Sequence, residues 1–227
     1  MTIVQAIQIQ VAQDIFETWD SLGVHGRAEK LMKAATSFPS KQKEIAIWQI
    51  ENAQKSIAET RVLPGPTGEL NALSTQGRGP FLCASSIDSD NATIGLVGQI
   101  FTALIAGNPV ITIGLAGQSI MDRILPFVPE GVIQNVAESV LDSLIEADHL
   151  AGIATLCDST QAQQLNQQLA AKDGLICQLI EETDSEQLRT IAKPHYVLRF
   201  VTERAVSNNT TAIGGNATLL ELGSMDD

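Results

Sequence analysis

The sequence predicts an α/β fold: a parallel sheet flanked by helices, with further helices at the N-terminus and a C-terminal β-flap. Three observations carry this reading. Beyond residue 69, short apolar runs alternate with longer amphipathic ones, as in βαβ units whose parallel strands are covered on both faces. Aromatic residues make up only 4% of a chain that is 44% hydrophobic, so the core must be aliphatic and alanine-rich, as in helix-on-sheet packing. A length of 227 residues suffices for one well-filled core with a small appendage.

The N-terminal segment, residues 1–61, reads as helical. Ile9, Ala12, Phe16 and Trp19 fall at helical spacing, as do Ala28, Leu31, Met32 and Ala35. Pro39 breaks the pattern, and Ala46, Trp48, Ala53 and Ile57 suggest another helix. "LPGPTGE", Leu63 to Glu69, is a rigid turn, since its prolines fix φ and Gly65 and Gly68 tolerate positive φ. It marks the entry to an α/β core over 62–195. There "PFLCASS" is a strand and Asp90 to Gly107 a helix stopped by glycine. "PVITIGL" is a strand before a helix from Gln118 to Phe127, and "GVIQNVA" and "GIATLC" are strands separated by a short helix. Asp158 and Ser159 offer an N-cap for a helix running to about Lys172, and "GLICQLI" closes the series. The last segment, 196–227, has one strand-like run from Tyr196 to Thr202 and another from Ala217 to Leu222, around a loop with Gly214 and Gly215. It reads as a flap or hairpin.

Charge narrows the function. A net charge of −12 and a pI near 4.6 argue against nucleic acid, whose phosphates demand a basic face, and against a polybasic membrane contact. The most apolar stretch, Ile94 to Ala106, is too short to span a bilayer and contains Gln99. Residues 1–20 lack the basic-then-apolar pattern of a signal peptide. Cys83, Cys157 and Cys177 are an odd count without CxxC spacing, which fits a reducing compartment, so a cytoplasmic location is expected.

Catalytic motifs are missing. The sequence has no GxGxxG after a strand, no GxxxxGK[ST], no GxSxG and no HExxH. His25, His149 and His195 are scattered without partners at ligand spacing, so no metal site is expected. Cys83 and Cys177 lie inside predicted strands, where a buried thiol is ordinary. Cys157 ends a strand just before a helix N-terminus, which can lower a thiol pKa, but no cation adjoins it in sequence. Glu181 and Glu182 read as solvated carboxylates at the end of a strand.

Two stretches carry a resemblance. "LPGPTGELNAL" and "ERAVSNNTTAIGGNATLLELG" resemble the bookends of the C-terminal, aldehyde-dehydrogenase-like domain of the bifunctional proline utilization (PutA) enzymes, over residues 62–223 or so. Cys83 lies in a segment similar to a strand of that domain; Leu70 and Asn208 depart from the family's arginine and valine. Further segments are similar to aldehyde dehydrogenases themselves. Ala12 to Ala35 resembles their first helix pair, "LIAGNPVITIGLAGQS" a cofactor-contacting segment, and "IATLCDSTQAQQL" the element near the cofactor pyrophosphate. "VPEGVIQNV" is similar to another of their strands, and "GLICQLIEE" stands where their conserved "VTLELGGK" would. The resemblance implies an aldehyde-dehydrogenase-like, Rossmann-type sheet.

The differences shape the expected function. Where the family places a lysine on the adenosine ribose, this chain has Gly114-Leu115-Ala116-Gly117; where it places Gly-Ser against the phosphates, this chain has Asp158-Ser159. Gly114, Gly117, Asp158 and Ser159 would thus form a vestigial cofactor cleft. After Glu182 the chain runs almost directly into the flap, without the family's catalytic-cysteine domain, and none of the three cysteines takes the place of its nucleophile. No catalytic residue, and no cofactor, is therefore expected. The expected role is structural, tunnel-closing or oligomerising, through a flap of Glu203, Arg204, Ser207, Asn208, Asn209, Thr210, Gly214, Gly215 and Asn216. Its partner would be a proline-catabolic dehydrogenase or a second copy of the chain, gripped by strand addition. Alternatives are a hairpin folded on its own domain, an NAD-binding subunit or fragment of a pyrroline-5-carboxylate (glutamate semialdehyde) dehydrogenase, and a small-molecule sensor using the vestigial cleft.

Overall fold

The computed structural model describes residues 3–66 and 68–209. Its elements are α1 (Ile3–Asp20), α2 (Gly23–Ala35), α3 (Ser40–Ile57), β1 (Arg61–Leu63), β2 (Glu69–Gly77), β3 (Phe81–Ser85), α4 (Asp90–Ile105) and β4 (Val110–Ile113). They continue with α5 (Gly114–Ile124), β5 (Ile133–Val136), α6 (Leu141–Ile145), β6 (Gly152–Leu156), α7 (Ser159–Ala170), β7 (Gln178–Glu182) and β8 (Val201–Asn209). The chain forms two compact units, Met1–Ala58 with Gln76–Thr202, and Glu59–Thr75 with Glu203–Asp227.

The first unit is built on a five-stranded, wholly parallel sheet in the order β5-β4-β3-β6-β7. Strand alternation sends side chains to opposite faces. Leu82, opposite Ile111 and Ile153 in register, joins one apolar cluster with Leu144, Ile145 and Leu150. Phe81 and Cys83 belong to the other cluster, with α4 and the N-terminal helices. Helix α4 starts where the Ser89 side chain accepts a hydrogen bond from the Ala92 N–H. It is buried nearly all round, between α3 and the strands β3 and β6. Two of its glycines permit that closeness: a methyl at Gly98 would come within 2.9 Å of Ile191 Cγ2 and 3.0 Å of Ile45 Cγ1.

The N-terminal helices pack as their spacing predicts, with Ile9, Ala12, Trp19, Ala28, Leu31, Ala35, Ala46, Ala53 and Ile57 buried. Met32 and Trp48, expected in the core, are instead 38% and 40% exposed, each at the edge of its helix's apolar stripe. A buried arginine locks this layer. Arg27 Nη1 donates to Asp20 O at 2.6 Å and its Nε to Ile105 O at 3.0 Å, while Trp19 Nε1 donates to Leu104 O at 3.0 Å. One cation thus serves the carbonyl ends of both α1 and α4, where helix dipoles favour positive charge. Burial lowers the Arg27 pKa, and the Asp20 carboxylate beside it opposes that shift.

Three expectations are corrected. Helix α5 begins at Gly114, not Gln118, because Gly114 adopts φ +71° and turns the chain straight from β4 into the helix. Strand β7 begins at Gln178, so Cys177 precedes the strand, and Leu175 and Ile176 are 69% and 93% exposed. Tyr196–Phe200 forms a 3-10 turn, not a strand; Tyr196, Val197 and Phe200 are buried there, and the Phe200 ring lies 5.1 Å from those of both Phe81 and Tyr196. Core packing of the aromatics overrides their strand propensity.

The second unit is a three-stranded sheet in the order β1-β2-β8. The proline-glycine turn connects β1 and β2 as an antiparallel hairpin, with Leu63 opposite Asn71 and Arg61 opposite Leu73. None of the unit's described residues is buried.

Candidate functional site

In an open α/β sheet, ligands bind outside the carboxyl ends of the strands, where the strand order reverses. Here that point lies between β3 and β6, since β4 and β5 continue to one side of β3 and β6 and β7 to the other. The topology brings the predicted cleft residues to this same edge: Gly114 and Gly117 follow β4, and Asp158 and Ser159 follow β6.

The chain's own side chains fill much of the edge. Between β3 and β6, the Ser86 N–H donates to Leu156 O at 2.9 Å, and Ser86 Oγ donates to Gln161 Oε1 at 2.5 Å. Asp158 caps α7, its Oδ1 accepting the Gln161 N–H at 2.9 Å. A helix N-terminus is a natural seat for phosphate, and here a carboxylate already holds it. Gly117 is buried against Thr112 Oγ1 and Asn135 Oδ1, and Thr112 Oγ1 donates to Asn135 Oδ1 at 2.7 Å. Asn135 Nδ2 in turn donates to Gln118 Oε1 at 3.0 Å. At Gly114 a methyl would lie 2.7 Å from Glu138 Oε1, which puts a second carboxylate at this edge. Asp158 and Glu138 do not fit the phosphates of a dinucleotide, because anions would face anions there and neither carboxylate is in an ion pair among the described residues.

The thiols are not activated. Burial raises the Cys157 pKa, and the Asp158 and Glu181 carboxylates add to that rise against a hydrogen bond with Thr155. Burial raises Cys83 strongly and pushes Cys177 up to about 11. Nucleophilic thiols need the opposite shift. No group of three or more His, Cys, Asp or Glu residues suited to a metal occurs among the described residues. Among them, too, no helix is long and apolar enough to cross a membrane.

Glu182 has a structural part that sequence reasoning missed. It is buried, and its carboxylate accepts N–H groups from Asp184 at 3.0 Å, Thr190 at 2.7 Å and Ile191 at 3.1 Å. It anchors the strap over 183–195 that follows β7, while Gln49 Nε2 donates to Ile191 O at 2.7 Å. Nothing in "LIEE" distinguishes a carboxylate that will receive main-chain donors from a solvated one.

Of the predicted flap residues, Glu203, Arg204, Ser207, Asn208 and Asn209 lie on β8 and are exposed. Ser74 Oγ of β2 donates to Arg204 O at 3.4 Å. Thr210, Gly214, Gly215 and Asn216, like the run from Ala217 to Leu222, lie outside the described residues. The strand β2, which forms the middle of this sheet, was read only as the sequel to a turn; its weak alternation of Leu70, Ala72 and Ser74 was the available signal.

A sheet of this order, with helices α1–α3 ahead of it, is the fold of the aldehyde dehydrogenases. The chain is 16% identical to an NAD-dependent benzaldehyde dehydrogenase from Corynebacterium glutamicum, with a TM-score of 0.62 over 79% of this chain and 46% of that one. The likeness to a crystal structure of bifunctional proline utilization A (PutA) is greater, with a TM-score of 0.69 at 23% identity over 82% of this chain and 23% of that one. In sequence the chain is homologous to a segment of the PutA proteins. It is 30% identical over 188 residues to the bifunctional protein PutA of Klebsiella aerogenes, covering 82% of this chain and 13% of that protein. No family model matches.

Proposed function

We propose that the chain is a non-catalytic, aldehyde-dehydrogenase-like module of proline catabolism. It docks through its three-stranded sheet on a PutA-type or pyrroline-5-carboxylate dehydrogenase, or on a second copy of itself. One observation supports this above the others: in the second unit, residues 59–75 and 203–209 of this sheet include no buried residue among those described, and Val62, Leu70 and Val206 stand 71%, 44% and 37% exposed. A short sheet whose middle strand is at most half-buried over residues 69–75 gains little stability by itself and presents strand edges and apolar side chains to a partner. The homology to PutA supports a partner from proline oxidation, and closing the channel that carries its reactive intermediate is the role such a cover would serve. Pull-down with the organism's pyrroline-5-carboxylate dehydrogenase tests the partner: retention is expected, and loss of retention in a Val62→Lys, Val206→Lys variant localises the contact. If neither this dehydrogenase nor a second copy binds, the reading fails.

The rival is an NAD-binding subunit or fragment of that dehydrogenase, which the overall fold favours. Calorimetric titration with NAD decides it. The carboxylates of Asp158 and Glu138 at the carboxyl edge lead us to expect no binding heat; tight binding would revive the rival.

A further inference from the structure

The link from α7 to β7 is pinned at its two ends and unbonded between them. At its start the Ala171 N–H donates to Gln167 O at 3.1 Å, and Lys172 Nζ reaches across to Ile145 O at 3.0 Å and Ala147 O at 2.5 Å. At its end the Gln178 N–H donates to Ala151 O at 3.0 Å. Between these anchors no N–H of residues 173–176 donates a hydrogen bond among the described residues. The Asp173 carboxylate has neither a hydrogen bond nor an ion pair among them. Asp173 and Gly174 are both exposed, and so are Leu175 and Ile176 after them.

The order of these two residues matters chemically. Among the described aspartates only Asp173 precedes a glycine, and no asparagine of the chain does. Gly174 has φ +93°, and a Cβ built there would meet no atom within 4 Å, so nothing crowds its free nitrogen on that side. The described aspartates that precede serine are placed differently. Asp158 Oδ1 holds the Gln161 N–H at 2.9 Å while Ser159 opens α7. Asp184 accepts the Gln187 N–H at 3.0 Å and pairs with Arg189 Nε at 2.8 Å. Asp142 and Ser143 lie within α6, and Asp88 precedes the serine that caps α4.

We propose that Asp173-Gly174 is a covalent modification site at which the folded chain converts aspartate to isoaspartate through a succinimide. The Gly174 nitrogen attacks Cγ of the protonated Asp173 carboxyl group. The new N–Cγ bond closes a five-membered imide, and the carboxyl hydroxyl leaves as water with the amide proton. Water then adds to one of the two imide carbonyls. Breaking the N–Cγ bond restores aspartate. Breaking the original peptide bond leaves the main chain running through Cβ and Cγ, one methylene longer, with a free α-carboxylate directly before the exposed Leu175 and Ile176. Water is the only co-reactant, and it is returned in the second step. No main-chain hydrogen bond of residues 173–176 has to open first, so folding does not protect the site as it protects helices and strands. The assignment is independent of the docking sheet and of the carboxyl-edge cleft.

The test incubates the full chain at physiological temperature and pH, folded and, in parallel, unfolded in guanidinium chloride. Isoaspartate is located by peptide mass spectrometry with electron-based fragmentation. It is counted independently by methyl transfer from S-adenosylmethionine with an isoaspartyl methyltransferase. In the folded chain more isoaspartate is expected at position 173 than at any other described aspartate, and folding is expected to slow its formation there by less than about tenfold. Asp173→Glu, an exposed change that would require a six-membered ring, should remove most of the methyl acceptance of the folded chain. The proposal is overturned if folding slows conversion at Asp173 by about tenfold or more, if another described aspartate converts as fast, or if Asp173→Glu accepts as much methyl as the parent.

Discussion

The two sheets of this protein are opposites in how they meet water. The five parallel strands are covered on both faces, by α4 and the N-terminal helices on one side and by residues of α6, α7 and the neighbouring loops on the other. The three strands β1, β2 and β8 have no buried residue in their own unit. Near-continuous apolar strands such as "VITI" and "GIATL" make the first self-sufficient. Strands such as "ELNALSTQG" and "VTERAVSNN" mix polar and apolar residues on both faces, and cannot bury enough to stand alone. The first sheet thus carries the buried core, and the second is the one we propose as the docking surface.

That contrast can be broken by substitution. Trp19→Ala in the first unit removes a fully buried indole and its hydrogen bond to Leu104 O, and should cost about 3–5 kcal/mol in urea unfolding. Glu182→Ala strands three main-chain donors of the strap and should cost about 3 kcal/mol by the same measurement. A loss below about 1 kcal/mol would mean that the strap is held by other contacts. Thiol chemistry sharpens the picture of a closed core. With its pKa near 11, Cys177 is protonated at pH 8, so its thiolate fraction is about a hundredfold below that of an ordinary exposed thiol. Its alkylation should keep accelerating about tenfold per pH unit up to pH 10, where an unshifted thiol would already have levelled off. The smallest effect belongs to the second sheet: Val62→Lys and Val206→Lys should each change stability by less than about 0.5 kcal/mol while weakening association.

Much of the first unit was legible in the sequence, because periodicity and caps are local. The helices over Ile9–Trp19 and Asp90–Gly107, the strands of the parallel sheet and the Asp158 cap follow from spacing alone. What was not legible depends on contacts distant in sequence. Tyr196–Phe200 looks like a strand until Phe81 and Tyr196 are seen around Phe200, and Glu182 looks solvated until the strap returns over it. The residues named for the cleft through the resemblance lie at the carboxyl edge of the sheet, yet the crowding by Glu138 and Gln161 comes from segments that no local pattern connects to them.

The central claim is that the three-stranded sheet is an interaction surface. Size-exclusion chromatography with light scattering tests it directly, comparing the full chain with one ending at Thr202, which keeps the buried Tyr196 and Phe200 but loses most of β8. Each is run alone and with pyrroline-5-carboxylate dehydrogenase. The account predicts that the full chain dimerises or co-elutes with the dehydrogenase, and that the shortened chain is monomeric in both runs. A full chain that stays monomeric and elutes apart from the dehydrogenase would contradict it.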